Sequence, residues 1–558
     1  MLCYNTLEFH YRKELGFTRG SNEWFKGAFI LTLGALMTKI LSAIYRVPFQ
    51  NIVGDIGFYI YQQVYPFLGL ALILSTYGFP VIISKQLMEF KVKQQSEKIF
   101  RFLTLSLFVL NVLGIFAFLC LYYGSTWLAL QMKDPNLSIL LKVISVVFLI
   151  FPTISVLRGY FQGMGNMIPT AVSQVGEQLF RVVTILTVAV LMTKEGLSLY
   201  VVGGGASSGS IIGGLTAIFI LIIFFLKEVR QTSKSFCLFD HKLLSDLGKV
   251  TKLLLLQGFA VCISGMFLIF MQLADSLNML SLMVNGNIEL DLAKELKGIY
   301  DRGQPLIQLG SVVATSMSLS LVPLISSERV KENKEILLEK IRFALQISLV
   351  IGTAATVGLL AIVHPTNEML FKNQEGSTVL AVLTVVIMVS SVTLTVISIL
   401  QGLEVMFFPA WVILFSFGLK LGLNIVFIPK LGPVGAAIAT NISIAVGLVL
   451  LWWKLKRVMN NPLLSSSFII KVAMASFIMF LFLKAYLFAT NPIYGLVESH
   501  RLVAAFQAMS GVTIGGFIYL LVMMRMNIFR IEDLALLPFG SKLIYLLPKE
   551  KGSRNHEK

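Results

Sequence analysis

Residues 157–192 read LRGYFQGMGNMIPTAVSQVGEQLFRVVTILTVAVLM. Pro169 suits the first turn of a helix, where its missing N–H has no helical acceptor to lose. The apolar pattern then runs to Met192, the length of a helix that crosses a bilayer. Two ionisable residues, Glu177 and Arg181, stand inside it. A charge at the centre of such a helix costs roughly 2.5–3.5 kcal/mol on insertion scales, so it faces a partner or a water-filled cavity. Spaced four apart with the acid first, the two share a face in the favourable order. Two readings stand: the pair neutralises itself and locks packing, or Arg181 faces a cavity and Glu177 orients it.

The rest of the chain repeats this apolar scale. Of 558 residues, 56% are hydrophobic and 13% charged, a balance no soluble domain of this size needs. The runs are continuous, not alternating, which selects membrane helices over a barrel. Cys3, Cys120, Cys237 and Cys262 show neither CxxC nor paired spacing, so no disulfide framework or zinc site is expected. There is no GxxxxGK[ST] loop, which argues against an ATP-driven pump. The polar first 20 residues do not read as a cleavable signal peptide.

Fourteen spans are expected, at roughly 24–45, 58–83, 102–123, 138–157, 169–192, 200–226, 252–275, 303–325, 342–363, 378–400, 408–428, 432–453, 468–488 and 502–524. Charge tests the count. With a cytoplasmic N-terminus, thirty Lys and Arg fall in the loops assigned inside and eight in those assigned outside. The net charge of +17 thus reflects topology and not a nucleic-acid partner. The expected organisation is a tail (1–23), an N-lobe (24–226), a basic linker (227–251), a C-lobe (252–457), a final pair of spans (468–524) and a second tail (525–558). SVLRGYFQGMGNMIPTA before span five resembles SILQGLEVMFFPA before span eleven, and each is followed by a cation, Arg181 or Lys420. Two six-span halves in the same order make a parallel repeat, whose binding site lies between the halves.

Other interior charges join the candidate set. Lys39 and Arg46 lie seven apart on one face of span one; Lys39 is too deep to snorkel easily, while Arg46 could meet headgroups. Asp275 is expected to close span seven, and Asp301 and Arg302 to open span eight. Gln304, Gln308, Ser311, Thr315 and Ser318 give span eight a polar stripe, read either as a wet inner face or as helix glue. GGGASSGSIIGG (203–214) reads as close helix packing. With Arg158 and Lys420, the cations outnumber the acids Glu177, Asp275, Asp301 and a further candidate, Glu404. A cavity so lined favours an anionic substrate, and Arg forks suit phosphate or pyrophosphate.

RGYFQGMGNMIPTAVSQVGEQLFRV, YDRGQPLIQLGSVVATSMSLSLVP and FKGAFILTLGALMTKILSAIYRVPFQNIVGDIGFYIYQQVYP resemble stretches of the stage V sporulation protein B-like polysaccharide exporters, over about Trp24 to Arg525. That family belongs to the multidrug, oligosaccharidyl-lipid and polysaccharide (MOP) exporter superfamily and is related to MurJ-type lipid II flippases. The resemblance implies an all-α polytopic fold, with two six-helix lobes in a MATE-like V, an alternating-access cavity, and two C-terminal helices that help form a lipid-tail groove. It also implies essential cavity cations, carried over here to Lys39, Arg46, Arg181 and Arg302.

The leading expectation is therefore a flippase for an undecaprenyl-pyrophosphate-linked glycan, working as a monomer in the bacterial cytoplasmic membrane with both termini inside. No cofactor or metal is expected, and an ion or membrane-potential gradient is left open as the drive. A cation-coupled drug exporter on the same fold would need dominant cavity acids. A scaffold recruiting cell-wall synthesis enzymes would act through the basic loops at 227–252 and 326–342. No catalytic set of residues points to an enzyme.

Overall fold

The computed structural model describes residues 19–232, 243–312, 325, 334–495 and 497–528. The described residues are nearly all helical and contain no strand. Among the described residues, twelve segments are long and apolar enough to cross a membrane. Against the expected fourteen, four spans are merged into two long segments, span seven is divided into Asp246–Gly265 and Phe267–Asn285, and span eight, most of which lies outside the described residues, is not among the twelve. Two of the segments, Leu33–Val92 and Phe407–Met459, span 60 and 53 residues, far beyond one bilayer crossing. Each contains a glycine in the left-handed region, Gly54 at φ 70° and Gly432 at φ 56°. The chain folds back at both. The Tyr45 and Tyr61 hydroxyls meet at 3.1 Å, where an unbroken helix would hold them about 24 Å apart. A methyl group on Gly447 would stand 2.6 Å from Ser416 Oγ, residues that a straight helix would separate by about 46 Å.

The first half comprises α1 (Arg19–Ile44), α2 (Arg46–Ile73), α3 (Phe79–Val92), α4 (Ser96–Gln131), α5 (Ser138–Ser145), α6 (Val147–Met164), α7 (Ile168–Lys194) and α8 (Leu199–Thr232). The second comprises α9 (Leu243–Lys252), α10 (Phe259–Gly265), α11 (Phe267–Asn285), α12 (Leu290–Asp301), α13 (Gly303–Gly310), α14 (Lys334–Ala361), α15 (Val363–Phe371), α16 (Ser377–Gly402) and α17 (Phe407–Met459). The final pair is α18 (Ser466–Thr490) and α19 (His500–Arg525), which leans on α14: the Tyr519 hydroxyl donates to Val350 O at 3.0 Å.

The halves meet along one seam. Gln63 of α2 donates to Ser276 O of α11 at 2.7 Å, and Phe79 of α3 meets Phe259 of α10 edge-on. Short π-helical stretches, Leu74–Gly78 and Leu253–Gly258, bend both partners of this seam.

Two span boundaries differ from expectation. Span seven continues to Asn285, so Asp275 lies well inside it instead of closing it. Span eight is preceded directly by α12, so Asp301 and Arg302 stand at a break between two helical pieces. The stretch LDLAKELKGIYD is polar enough to read as a loop. It is helical because Lys297 and Asp301, four apart, neutralise each other at 2.7 Å while Ala293, Ile299 and Tyr300 are buried.

Candidate functional site

The charged pair inside α7 has a geometric setting in the first half. Glu177 takes two guanidinium groups at once. Arg158 Nη2 donates to Glu177 Oε2 at 2.8 Å, and Arg181 donates to Glu177 Oε1. Arg158 is 0% exposed and extends the network to Ser173 Oγ at 3.2 Å and Thr76 Oγ1 at 3.1 Å. Arg181, 6% exposed, adds Gln178 Oε1 at 3.0 Å, and its Nε is buried without a hydrogen-bond partner. Glu177 therefore bridges Arg158 and Arg181, tying α6 to α7 and fixing the Arg181 guanidinium in place.

The glycine run of α8 positions this turn of α7. A Cβ on Gly213 would come within 2.6 Å of Glu177 O, and one on Gly209 within 3.0 Å of Arg181 O. Small residues let the two backbones touch, as close packing in lipid requires.

Arg46 is 2% exposed and lies over the Tyr65 ring at 4.4 Å, with its Nε buried and unpartnered. Tyr45 and Tyr61 form the wall beside it, with Tyr61 within electrostatic range of Arg181. Lys39 is half-buried in α1 with no ion pair or hydrogen bond among the described residues. Among the described residues, the interior of the first half thus holds the cations Lys39, Arg46, Arg158 and Arg181 against two buried acids, Glu177 beside them and Asp134, which is held by tyrosine hydroxyls between α4 and α5.

The second half is balanced. Lys420, fully buried, pairs with Asp275 Oδ2 at 2.6 Å and also donates to Met271 O at 2.8 Å. The Tyr300 hydroxyl and Asn424 Nδ2 complete the carboxylate at 2.7 and 3.2 Å. Lys297 neutralises Asp301. Gln304 accepts from Gln272 at 2.8 Å, Gln308 Oε1 is buried without a partner, and Ser311 donates to Gln308 O at 3.4 Å. Thr315 and Ser318 lie outside the described residues.

Arg302 has a different setting from the other interior cations. Its Nε and Nη2 grip both oxygens of Asp55, in the first half, at 2.9 and 2.5 Å, and its Nη1 donates to Asn373 Oδ1 at 2.6 Å. Asn51 Nδ2 donates across the halves to Leu370 O at 2.8 Å. These contacts lie at the end opposite the basic loops and close it. At the basic end Glu404, read as an interior acid, is exposed instead: it sits in the turn before α17 and meets Lys85 of α3 at 3.5 Å. Asp55 and the tyrosines had no signature in the sequence. Asp134, buried and bonded by the Tyr59 and Tyr200 hydroxyls at 3.0 and 2.7 Å, had none either.

The model for the family described as polysaccharide biosynthesis protein matches residues 24–329. The chain belongs to the polysaccharide biosynthesis protein family. Its relatives within Bacillus subtilis (strain 168) include the uncharacterized membrane protein YabM, 42% identical over 93% of this chain and 96% of the relative. The lipid II flippase MurJ is 26% identical over 78% and 83%, and stage V sporulation protein B 25% identical over 93% and 99%. In fold, this polysaccharide biosynthesis protein resembles the lipid II flippase MurJ in an inward closed conformation, with TM-score 0.63 at 15% identity over 88% of this chain and 98% of that one. An inward-facing MATE multidrug transporter of the MOP superfamily follows, with TM-score 0.59 at 15% identity over 78% and 99%. It is a multi-pass membrane protein of that architecture. The matched stretch of the family includes Arg46, Arg158, Glu177 and Arg181, so the charged cluster lies in the part of the chain that defines the family.

Proposed function

We propose that the protein is a flippase for polyprenyl-pyrophosphate-linked oligosaccharide precursors, working by alternating access in the bacterial cytoplasmic membrane with its basic loops and both termini on the cytoplasmic side. One observation carries the choice of cargo: the surplus of cations inside the first half. Burying an unmatched guanidinium is costly unless an anion completes it. Lys39, Arg46 and Arg181 offer incomplete donor sets in one region, and Arg forks match phosphate oxygens in pairs. The head group would bind there while the polyprenyl tail stays in lipid. An inside-negative potential would favour outward movement of such a cargo. The names of the relatives, a lipid II flippase among them, support the same reading.

A cationic drug would need an acid left free to receive it. Glu177 has two arginines and Asp275 has Lys420, so the geometry favours the anion.

The test is translocation of fluorescent lipid II by the purified protein in liposomes. Wild type should transport, and Arg181→Ala should lose transport while keeping its fold. Transport undiminished in a folded Arg181→Ala protein refutes the assignment of that arginine to the cargo. Well-folded wild type that moves neither lipid II nor another polyprenyl-linked glycan refutes the flippase reading.

A further inference from the structure

At the end opposite the basic loops, beside the Arg302–Asp55 contact, lies a cavity of about 420 Å³ lined by Val47, Pro48, Asn51, Ile52, Lys372 and Arg501. Three parts of the molecule build it: the end of span one, the turn between α15 and α16, and the first turn of α19. One wall is apolar and continues into the exposed face of α19 at Leu502 and Phe506. The other carries two cations. Lys372 Nζ reaches Asn51 O at 3.3 Å, and Arg501 Nε donates to Met369 O at 2.9 Å. The two terminal amino groups of Arg501 have no partner among the described residues. Asn51 uses its amide nitrogen on Val47 O and Leu370 O, which fixes its place between the halves.

The neighbouring acids do not answer these cations. Asp55 is held by Arg302. Glu368 accepts from Gln374 at 2.7 Å and Tyr494 at 3.2 Å, on the far side of α15. Glu375 accepts from Asn373 at 3.3 Å. The end of the molecule that is poor in cations therefore presents an ammonium and a guanidinium beside an apolar wall, at the level where spans begin and end. A guanidinium with two free donors and a nearby ammonium match the oxygens of a phosphate group, and the apolar wall matches the first carbons of a lipid chain.

We infer that this cavity binds the phosphate-bearing head of a membrane lipid in the outer leaflet, and that it is the site at which the pyrophosphate of the translocated lipid is received on leaving the central cavity. The inference rests on the flippase reading for the identity of the cargo and for which leaflet is outer. Its position fits: Asn51 and Lys372 belong at once to the cavity and to the contacts that close this end, so opening the halves changes the cavity.

The test is site-resolved. The full chain carrying p-benzoyl-phenylalanine in place of Ile52 is reconstituted in vesicles with radiolabelled undecaprenyl pyrophosphate and irradiated. The lipid should crosslink. Near a membrane surface each cation strengthens anion binding about five-fold, so Lys372→Gln with Arg501→Gln should lower lipid affinity about thirty-fold. The exchange Lys372→Arg with Arg501→Lys keeps both charges and should restore crosslinking, which separates lost binding from lost folding. Phosphatidylglycerol that competes as well as the pyrophosphate lipid would overturn the assignment to the translocated lipid and leave a general phospholipid-head site, whereas competition by inorganic pyrophosphate but not by phosphatidylglycerol would support it. Crosslinking that survives loss of both charges, or equal crosslinking to uncharged undecaprenol, overturns the inference. Crosslinking requires no translocation, so a negative result here and a failure of lipid II transport are separate findings.

Discussion

Glu177 and Arg181 form an ion pair, yet their removal should differ sharply in effect. Glu177→Ala strips the one carboxylate from two buried guanidinium groups. Arg158 is then fully buried with only hydroxyl and carbonyl partners, Ser173, Thr76 and Ser75 O at 3.4 Å. Breaking a buried pair so as to leave an uncompensated charge costs about 3–5 kcal/mol. Arg181→Ala leaves Glu177 still bonded by Arg158 at 2.8 Å. It loses the bonds to Glu177 and Gln178, each a charge-assisted hydrogen bond worth about 1.5–3 kcal/mol, but it removes a buried guanidinium instead of stranding two, and Arg181 Nε no longer has to be buried without a partner. Thermal unfolding of the purified protein in one detergent, followed through the reactivity of the buried Cys262 thiol, measures both. The expected order of destabilisation is Glu177→Ala well above Arg181→Ala. Equal losses, or a greater loss for Arg181→Ala, would refute the bridging role of Glu177. The same asymmetry makes Arg181→Ala the informative variant for transport, because Glu177→Ala would confound cargo binding with folding.

Gly213→Ala should destabilise by about 1–3 kcal/mol through overpacking, since its Cβ meets the backbone oxygen of Glu177; Gly516→Ala, in open space, should be neutral or stabilising in the same melt. Asp55→Arg should block transport by preventing closure of the cation-poor end, and Asp55→Arg with Arg302→Asp should recover it in the liposome assay. Lys420→Ala, which leaves Asp275 buried with neutral partners, should cost about 3–5 kcal/mol, whereas Lys420→Met with Asp275→Leu should cost much less; melting temperatures compare the two.

The helical membrane fold was legible because hydropathy and the Lys/Arg alternation are local properties of the chain. So was the Glu177–Arg181 face, since a spacing of four is a helix neighbour wherever the helix goes. Lys297 and Asp301 carried the same signal, masked by the polar composition around them. What escaped depends on distance along the chain. Asp55 meets Arg302 from 247 residues away, and nothing near either residue names the other. Arg158 stood among the candidates as a cation at a span end; only the approach of α6 to α7 makes it the second ligand of Glu177. The reversals at Gly54 and Gly432 were legible as breaks between spans, since the expected spans end at 45 and 428 and resume at 58 and 432.

The ion pairs divide according to what motion would do to them. Glu177 with its two arginines lies within the first half, and Asp275–Lys420 and Lys297–Asp301 lie within the second. If the halves rock as rigid bodies, these pairs survive every state and their desolvation is met once, on folding. Asp55–Arg302 and Gln63 to Ser276 O join the halves and must break at one end for the site to open there. At the other end the halves are joined by Lys85–Glu404, which is exposed, and by Arg101–Asp246 at 3.4 Å, which is partly exposed and made through a single nitrogen; such solvent-accessible pairs are worth about 0–1 kcal/mol each. The buried bidentate latch is thus the stronger closure, and it sits at the cation-poor end. In the proposed orientation that end is outer, so the resting protein should open inward, toward the side where a lipid-linked precursor is made. On the proposed function Lys39, Arg46 and Arg181 would then meet the anionic head, whose charge would offset the surplus that leaves them poorly satisfied in this structure. That offset supplies a differential affinity between states, which a ligand must have if it is to drive a conformational change.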